Sequence, residues 1–233
     1  FGDGSHNNHT QVEGNSNFIL TYQSEASLGV AYSYVSDDFY GLMDEDEGGS
    51  DRMEAFELDL GVGRLPVKDT TEAGQVVAKI IGYNQAKNMR DWRSKILFVA
   101  DDGDNNMHMG QANVLADQIG KAHPQFIIKK LLSDAYKQVS TSTGARYPDV
   151  NKAIYDNMHR GILIFNYTGH GSEKGLAEEQ LVTREQLLEY TNSQFLPLFI
   201  TATCEFSRYD DLADDETGKI KQQTSAGEAS LLN

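Results

Sequence analysis

The sequence predicts an α/β protein with a mostly parallel β-sheet flanked by helices. Two apolar runs, residues 161–171 and 196–204, carry much of this prediction. Each is a short, β-rich stretch without polar alternation, which is typical of a strand covered on both faces. Before them, strand-like and helix-like segments alternate along the chain, and this order favours right-handed crossovers in a parallel sheet.

The size and charge of the chain limit its class. The 233 residues are enough for one large domain or for one domain with a smaller lobe. Hydrophobic residues make up 39% of the chain, and they are clustered along the sequence strongly enough to form a core. A formal charge of −15 argues against a nucleic-acid partner, because phosphate binding needs clustered Lys and Arg. One cysteine excludes an internal disulfide framework and a cysteine-rich zinc site. No stretch approaches the roughly 20 apolar residues that span a bilayer.

The first part of the chain differs in composition from the rest. Residues 1–55 are rich in Gly, Ser, Asn and Asp, so we expect a loop-rich N-terminal part of the main domain or a smaller subdomain there, followed by the α/β domain itself over 56–233. The acidic run 44–51 predicts a solvated loop. A calcium site is the alternative there, although the spacing fits no EF-hand. The start at Phe1 has neither an initiator Met nor a signal-peptide pattern, which suggests a processed or truncated piece of a longer protein.

From residue 56 onward the apolar pattern predicts each element in turn. Besides the two runs above, strands are predicted over 56–62, 95–100 and 126–132. A first helix begins after a cap at Asp69 or Thr70 and ends near Asn88. Its predicted apolar face consists of Ala73, Val76, Val77, Ile80 and Ile81.

Further helices are expected between and after the later strands. One follows residues 101–106 and turns Val114, Leu115 and Ile119 inward, and another begins at Tyr147-Pro148. A helix over 183–190 has Thr183 as its cap, and a last one begins near Thr224. The acidic residues after Cys204 show no periodicity.

Cys204 and His170 each end one of the two apolar runs. The carboxyl edge of a parallel sheet is where sites usually lie in such folds, and the separation of the two residues suits one crossover. A thiolate there needs a base, and histidine is the side chain best suited to acid–base work near neutrality. Gly169 and Gly171 leave the imidazole open to a substrate. We therefore hypothesise a thiol nucleophile with an imidazole partner; the alternative is a buried, inert cysteine.

The other five histidines lack such a setting. We interpret them as solvent-facing or capping residues: His6, His9, His108, His123 and His159.

The residues around His170 resemble those of a known family. The segment 166–173, Asn-Tyr-Thr-Gly-His-Gly-Ser-Glu, closely resembles the one around the catalytic histidine of the gingipains, cysteine peptidases of family C25 with a caspase-like fold. Residues 196–204 are similar to the strand that leads into their nucleophile. The likeness covers about residues 56–210, and the histidine segment is its specific part.

The resemblance implies a caspase-like fold and a cysteine endopeptidase. By position, His170 is then the acid–base group and Cys204 the nucleophile, and the N–H groups of Gly171 and Cys204 hold the oxyanion. No cofactor is required for this chemistry. Gingipains bind calcium, and the stretch Asp101–Asp104 is where we would expect such an ion, with a hydrated turn as the alternative.

A narrower resemblance concerns the first residues. Residues 1–4 and 34–38 look most like the sortase-like members of the type IX secretion system. This implies a bacterial protein at the cell surface or outer membrane that removes carboxyl-terminal sorting domains from exported cargo. Its partners would be that cargo and other secretion components, and the acyl group could pass to an amine acceptor.

Two acids are harder to place by resemblance. The specificity acid of arginine-specific gingipains corresponds to Asp37 or Asp38, of which we choose Asp38 as the substrate-binding residue. Asp3 is a candidate for the third catalytic acid. The rival interpretations are a catalytically silent domain that binds or stiffens a secretion assembly, and a general secreted protease.

Overall fold

A computed structural model describes residues 1–5, 19–23, 35–45, 47, 57–85, 89–214 and 220–233. They form two compact units. The N-terminal unit comprises Phe1–Gly74 and Tyr209–Thr224, and the sheet unit comprises Gln75–Arg208 and Ser225–Asn233. The domain boundary predicted after residue 55 lies outside the described residues, as does most of the acidic run 44–51.

The secondary structure alternates along the sheet unit. The α-helices are α1 (Thr70–Tyr83), α2 (Gly103–Ala122), α3 (Pro148–Arg160), α4 (Arg184–Glu189) and α5 (Ala226–Leu232). The strands are β1 (Tyr22–Gln23), β2 (Val35–Ser36), β3 (Lys95–Ala100), β4 (Ile127–Leu132), β5 (Val139–Thr141), β6 (Gly144–Arg146), β7 (Ile164–Thr168), β8 (Gly171–Ser172), β9 (Gly175–Leu176), β10 (Val182–Thr183), β11 (Leu198–Ala202), β12 (Leu212–Asp214) and β13 (Ile220–Gln222). Short 3₁₀ turns cover Asp38–Gly41, Asp91–Ser94 and Ser133–Ala135.

A four-stranded parallel sheet organises the sheet unit. Its strand order is β11-β7-β3-β4, and all three pairings are parallel. Thr168 of β7 pairs with Ala100 of β3 on one side and with Ala202 of β11 on the other. The strands therefore end together at one edge. Helices flank the sheet, so the predicted α/β, mostly parallel architecture is confirmed.

Both faces of the central strand β3 are buried. Ile96 and Phe98 pack with Ala116 of α2 in one apolar cluster. The alternate residues of β3 face the opposite way, into a larger cluster with α3. That cluster includes Leu97, Val99, Val150, Ile154, Met158, Phe165 and Tyr167. This two-sided cover explains why β3 is an uninterrupted apolar run in the sequence.

The edge strand β11 corrects one prediction. Its sequence run predicts cover on both faces, yet Leu198 and Ile200 are exposed. Their pairing partners on β7 are Ile164 and Asn166. Helix α2 packs mainly on β3, β4 and β7 of the same sheet.

The apolar faces predicted for α1 and α2 are also wrong in part. In α2 the buried side chains are Met109, Ala112 and Ala116, whereas Val114 and Leu115 are exposed. The small alanine side chains allow the helix to approach the sheet closely. They lie on one face of the helix, and the larger side chains of Val114 and Leu115 lie on another. In α1 only Val76 of the predicted face is fully buried, and the helix ends at Tyr83 instead of Asn88.

The strand predicted over 56–62 is absent from residues 57–62, while Phe56 lies outside the described residues. This segment makes isolated hydrogen bonds instead of a ladder. The N–H of Asp59 donates to the Gly41 carbonyl, and the Asp59 carboxylate accepts from the N–H of Met43. Several short antiparallel pairings carry no periodic signal in the sequence, namely β1–β2, β5–β6, β8–β9–β10 and β12–β13.

The predicted helix starts are well supported. Asp69 accepts from the N–H of Glu72 at 2.8 Å, and Thr183 forms a capping box with Gln186. The last helix, α5, begins after a second capping box between Ser225 and Glu228. Among the described residues, no helix is apolar over enough of its length to cross a bilayer.

The N-terminal unit is held by buried ionic contacts. The guanidinium of Arg64 binds both carboxylate oxygens of Asp37, at 2.7 and 2.6 Å, and stacks on the Tyr209 ring. Asp3 is fully buried. Its carboxylate accepts from Gln222 Nε2 at 2.8 Å and lies 3.5 Å from Lys68 Nζ.

Burial makes Asp3 a source of pH-dependent stability. Desolvation outweighs the charge of Lys68 and raises the pKa of Asp3 to about 6. The folded protein thus keeps this proton at pH values where the unfolded chain loses it. The contribution of Asp3 to the free energy of unfolding therefore falls as the pH rises from about 4 to about 6, by about 1–2 kcal/mol after allowance for solvent screening.

Asp3→Asn removes this titration. We expect the free energy of unfolding of the variant to rise by about 1–2 kcal/mol relative to that of the natural chain between pH 4 and pH 6, as measured by chemical denaturation of both. A difference between the two proteins that does not change with pH would show that Asp3 titrates alike in the folded and unfolded states.

Candidate active site

Three chain segments meet at the carboxyl edge of the sheet. Asp101 follows β3, His170 follows β7, and Cys204 follows β11. Because Thr168 pairs with Ala202, His170 and Cys204 each stand two residues beyond a paired position on adjacent parallel strands. The structure thus brings together the two residues that the sequence singles out.

The backbone of His170 is fixed by its neighbours. Its N–H donates to Asp101 Oδ2 at 2.6 Å, and its carbonyl accepts from Tyr167 Oη at 2.6 Å and from the N–H of Ala177 at 2.8 Å. Burial and the Asp101 carboxylate raise the pKa of Tyr167, so its hydroxyl remains a donor. The imidazole itself is half exposed. This arrangement holds the main chain rigidly and leaves the ring accessible.

Asp104 is the acid that contacts the imidazole. Its Oδ2 lies 3.2 Å from His170 Nε2. Asp104, Asn105 and Asn106 all have positive φ values, between 51° and 65°, so the chain turns left-handed before α2 continues. Such a run costs about 1–2 kcal/mol per residue and is typical of functional sites.

Sequence reasoning missed Asp104 as a partner of His170. The available signal was its place just after a buried strand, within the stretch Asp101–Asp104 that is interpreted from the sequence as a calcium site or a hydrated turn. In the structure these carboxylates have separate partners: Asp102 accepts from Tyr147 Oη at 2.6 Å, whereas Asp101 serves the His170 backbone.

Cys204 lies on an anchored turn. It is exposed, so the alternative of a buried cysteine is excluded. Its carbonyl accepts from the N–H of Phe206 at 2.6 Å, and the Phe206 ring is buried in the core. Between them Glu205 takes a left-handed conformation with φ of 52°. The buried ring fixes the turn and leaves the thiol at the surface.

Gly171 packs closely against the turn that carries the thiol. A Cβ at this position would overlap the Thr203 hydroxyl and lie 3.3 Å from the Cys204 carbonyl oxygen. The N–H of Ala177 donates to the His170 carbonyl, so these two residues form a hydrogen-bonded pair next to the β8–β9 ladder. Hydrogen-bonded and non-hydrogen-bonded pairs alternate along antiparallel strands, and the adjacent pair of Gly171 and Leu176 is therefore a non-hydrogen-bonded one. The Gly171 N–H therefore points away from β9, and the ladder does not use it.

The acids predicted from the first residues lie in the N-terminal unit. Asp37 is occupied by Arg64, and the carboxylate of Asp3 is bound by Lys68 and Gln222. Asp38 is exposed at the start of a 3₁₀ turn. Its role in substrate binding stays a prediction.

Comparison with known sequences identifies the family. A model of peptidase family C25 matches residues 1–233. The chain belongs to peptidase family C25. This is the family that the residues around His170 resembled. No match is found among curated protein sequences.

Two solved gingipain structures share the fold. The Arg-specific cysteine proteinase gingipain R superposes with a TM-score of 0.63 at 17% identity, over 85% of this chain and 40% of that one. The complex of the pro- and mature domains of RgpB from Porphyromonas gingivalis gives 0.62 at 19% identity, over 86% and 41%. The caspase-like fold is thus confirmed. The chain spans about 40% of the length of these gingipain chains.

Gly169 offers a test of the His170 support. A Cβ at this residue would lie 2.5 Å from Tyr167 Oη and 2.7 Å from the Asp101 carboxylate carbon. We expect Gly169→Ala to lower the free energy of unfolding by about 1–3 kcal/mol, because the added methyl group would overlap the hydrogen-bonded side chains of Tyr167 and Asp101. Denaturant titration measures the loss.

The matched control is Gly110→Ala in α2, where an added Cβ meets nothing within 4 Å. It is expected to be neutral or to stabilise by up to about 1 kcal/mol. Equal effects of the two substitutions would contradict the tight packing described for Gly169.

Proposed function

We propose that this chain carries the active site of a cysteine endopeptidase in which Cys204 is the nucleophile and His170 the acid–base group. Asp104 acts as a positioning residue for the imidazole. The observation that supports this most strongly is the register of β7 and β11, which presents an exposed thiol and a half-exposed imidazole at one sheet edge.

In the proposed acylation step, the Cys204 thiolate attacks the scissile carbonyl carbon. Its oxygen becomes an oxyanion that accepts hydrogen bonds from the N–H groups of Gly171 and Cys204. The carbon–nitrogen bond then breaks, and His170 gives its proton to the leaving amine. The product is a thioester between Cys204 and the amino-terminal part of the substrate.

In deacylation, His170 takes a proton from the incoming nucleophile as it attacks the thioester. Water gives a free carboxylate, whereas an amine gives a new amide; in both cases the Cys204 thiolate leaves. A transpeptidase differs from a hydrolase only in which of the two nucleophiles reaches the thioester first.

For the substrate, we propose the carboxyl-terminal sorting domains of cargo exported by a type IX secretion system, as for a sortase of the PorU type. The support is the resemblance of residues 1–4 and 34–38 to that branch of the family. On the same resemblance we propose that the protein acts at the bacterial cell surface or outer membrane, with other secretion components as partners.

A matched pair of cargo proteins tests this proposal. One carries its natural sorting domain, and the other carries an unrelated folded domain behind the same linker. We expect the full-length protein to cleave only the first. With a primary amine present, mass spectrometry is expected to find the amide at the new carboxyl terminus.

The rivals predict different results in the same assay. Cleavage of both cargo proteins would indicate a general protease and overturn the sorting role. Cleavage of neither, with Cys204 no more reactive than a free thiol, would indicate a silent binding domain.

A further inference from the structure

A cluster beside the proposed catalytic pair has the geometry of a metal site. Asp104 Oδ2 lies 3.2 Å from His170 Nε2 and 3.5 Å from His108 Nε2. One ligand atom from each residue lies within 4.8 Å of the other two. A tetrahedral zinc ion with bonds of about 2.0–2.1 Å separates its ligands by about 3.3 Å. Two of the three distances between ligand atoms, 3.2 and 3.5 Å, are close to that value.

A second observation comes from the carboxylate behind the cluster. Asp101 is 2% exposed, and its Oδ1 is buried without a hydrogen-bond partner among the described residues. It lies 3.9 Å from Nδ1 of His108, a second buried polar atom without a partner in this part of the chain. In zinc sites, the ring nitrogen that does not bind the metal usually donates to a carboxylate. Asp101 Oδ1 is close enough to His108 Nδ1 to become that acceptor after a small movement of the ring.

We propose that Asp104, His108 and His170 bind a divalent transition-metal ion, with Asp101 as the outer-shell partner of His108. Two imidazoles and one carboxylate suit zinc, whereas calcium prefers an all-oxygen set. Three protein ligands leave the fourth zinc position to water.

The consequence for activity rests on the proposed function. Zinc on His170 Nε2 occupies the nitrogen that contacts Asp104, and because it also binds Asp104 it ends the positioning role of that acid. The positive charge of the metal also disfavours protonation of the other ring nitrogen, which the proposed mechanism requires. The bound metal therefore inhibits the peptidase, and its removal restores activity.

Metal binding is tested apart from catalysis in the full-length protein with Cys204→Ser, which removes the thiol as a competing ligand. Zinc affinity is measured by competition with a chromophoric chelator. Since outer-shell substitutions typically cost 10–100-fold in affinity, we expect loss of a direct ligand in His108→Ala to weaken binding by at least about 100-fold.

The matched control is His123→Ala, which removes an exposed histidine from the end of the same helix and is expected to change the affinity less than about twofold. Asp104→Ala, at a half-exposed side chain, gives a second ligand variant that does not disturb a buried ring. Unchanged zinc affinity in His108→Ala and Asp104→Ala, or binding only when Cys204 is present, would overturn the proposal.

The activity measurement uses the chain with its natural Cys204. Zinc is expected to inhibit cleavage reversibly, and His108→Ala is expected to raise the half-inhibitory zinc concentration by at least about tenfold relative to His123→Ala. Equal inhibition of both variants would contradict the inhibitory role. If no variant cleaves peptides, the proposed function fails, and the binding measurement still decides the metal site.

Discussion

Replacing Cys204 by alanine is expected to lower peptidase activity by at least about a thousandfold. The reason is that the thioester cannot form without the sulfur, and the remaining oxyanion donors and binding contacts give only residual catalysis. The rate of cleavage of a cargo protein with its sorting domain measures the loss. Because Cys204 is exposed, we expect the free energy of unfolding to change by less than about 0.5 kcal/mol.

That small stability change is the control that separates chemistry from folding. A variant that unfolds at the same denaturant concentration but does not cleave has lost only the nucleophile. Cleavage at the normal rate by Cys204→Ala would mean that another group attacks the peptide bond, and the proposed mechanism would be wrong.

Replacing His170 by alanine is expected to have an effect of similar size. The imidazole both maintains the thiolate and protonates the leaving amine, so its loss affects both halves of acylation. Steady-state kinetics should show the loss in kcat. The supporting hydrogen bonds of residue 170 come from its backbone, which alanine preserves, so the fold is expected to remain intact.

Asp104→Asn is the graded comparison for His170→Ala. It removes the charge next to the imidazole but keeps the shape of the side chain. We expect a smaller fall in kcat, an unchanged KM and a displaced pH profile of kcat. A loss equal to that of His170→Ala, without any displacement of the profile, would contradict a positioning role for Asp104.

The central sheet could be predicted from the sequence because its strands have simple apolar patterns. β3 and β4 are found within one residue of their predicted bounds, since a strand buried on both faces has few polar residues. Helix starts were equally accessible, because Thr183 and its partner Gln186 form a local, sequence-adjacent capping box.

The predicted helix faces failed where packing depends on side-chain size. In α2 the sequence pattern favoured the large apolar residues Val114 and Leu115, whereas the sheet accepts Ala112 and Ala116. Small residues are favoured where a helix approaches a sheet closely, and the hydrophobicity of a residue alone does not show where such close approach occurs. The exposure of Leu198 and Ile200 on β11 could not be predicted either, because the burial of a strand depends on elements that are distant in sequence.

The acid beside His170 could not be found by pattern because it depends on an unusual turn. Three successive left-handed residues, Asp104–Asn106, place the carboxylate on the imidazole, and no periodicity encodes such a conformation. His108 was interpreted as a capping or solvent-facing residue for a similar reason. Its ring centre lies 5.0 Å from that of His170, a residue 62 positions further along the chain, and no local pattern predicts that contact.

The pairing of Cys204 with His170 is tested most directly by the rate of thiol alkylation. Iodoacetamide labelling of Cys204 is followed across neutral pH by mass spectrometry of the peptide that contains it, in the natural protein and in His170→Ala. We expect the natural protein to react much faster than a free thiol, and His170→Ala to fall to the free-thiol rate. Equal rates in the two proteins would show that the imidazole does not activate the sulfur.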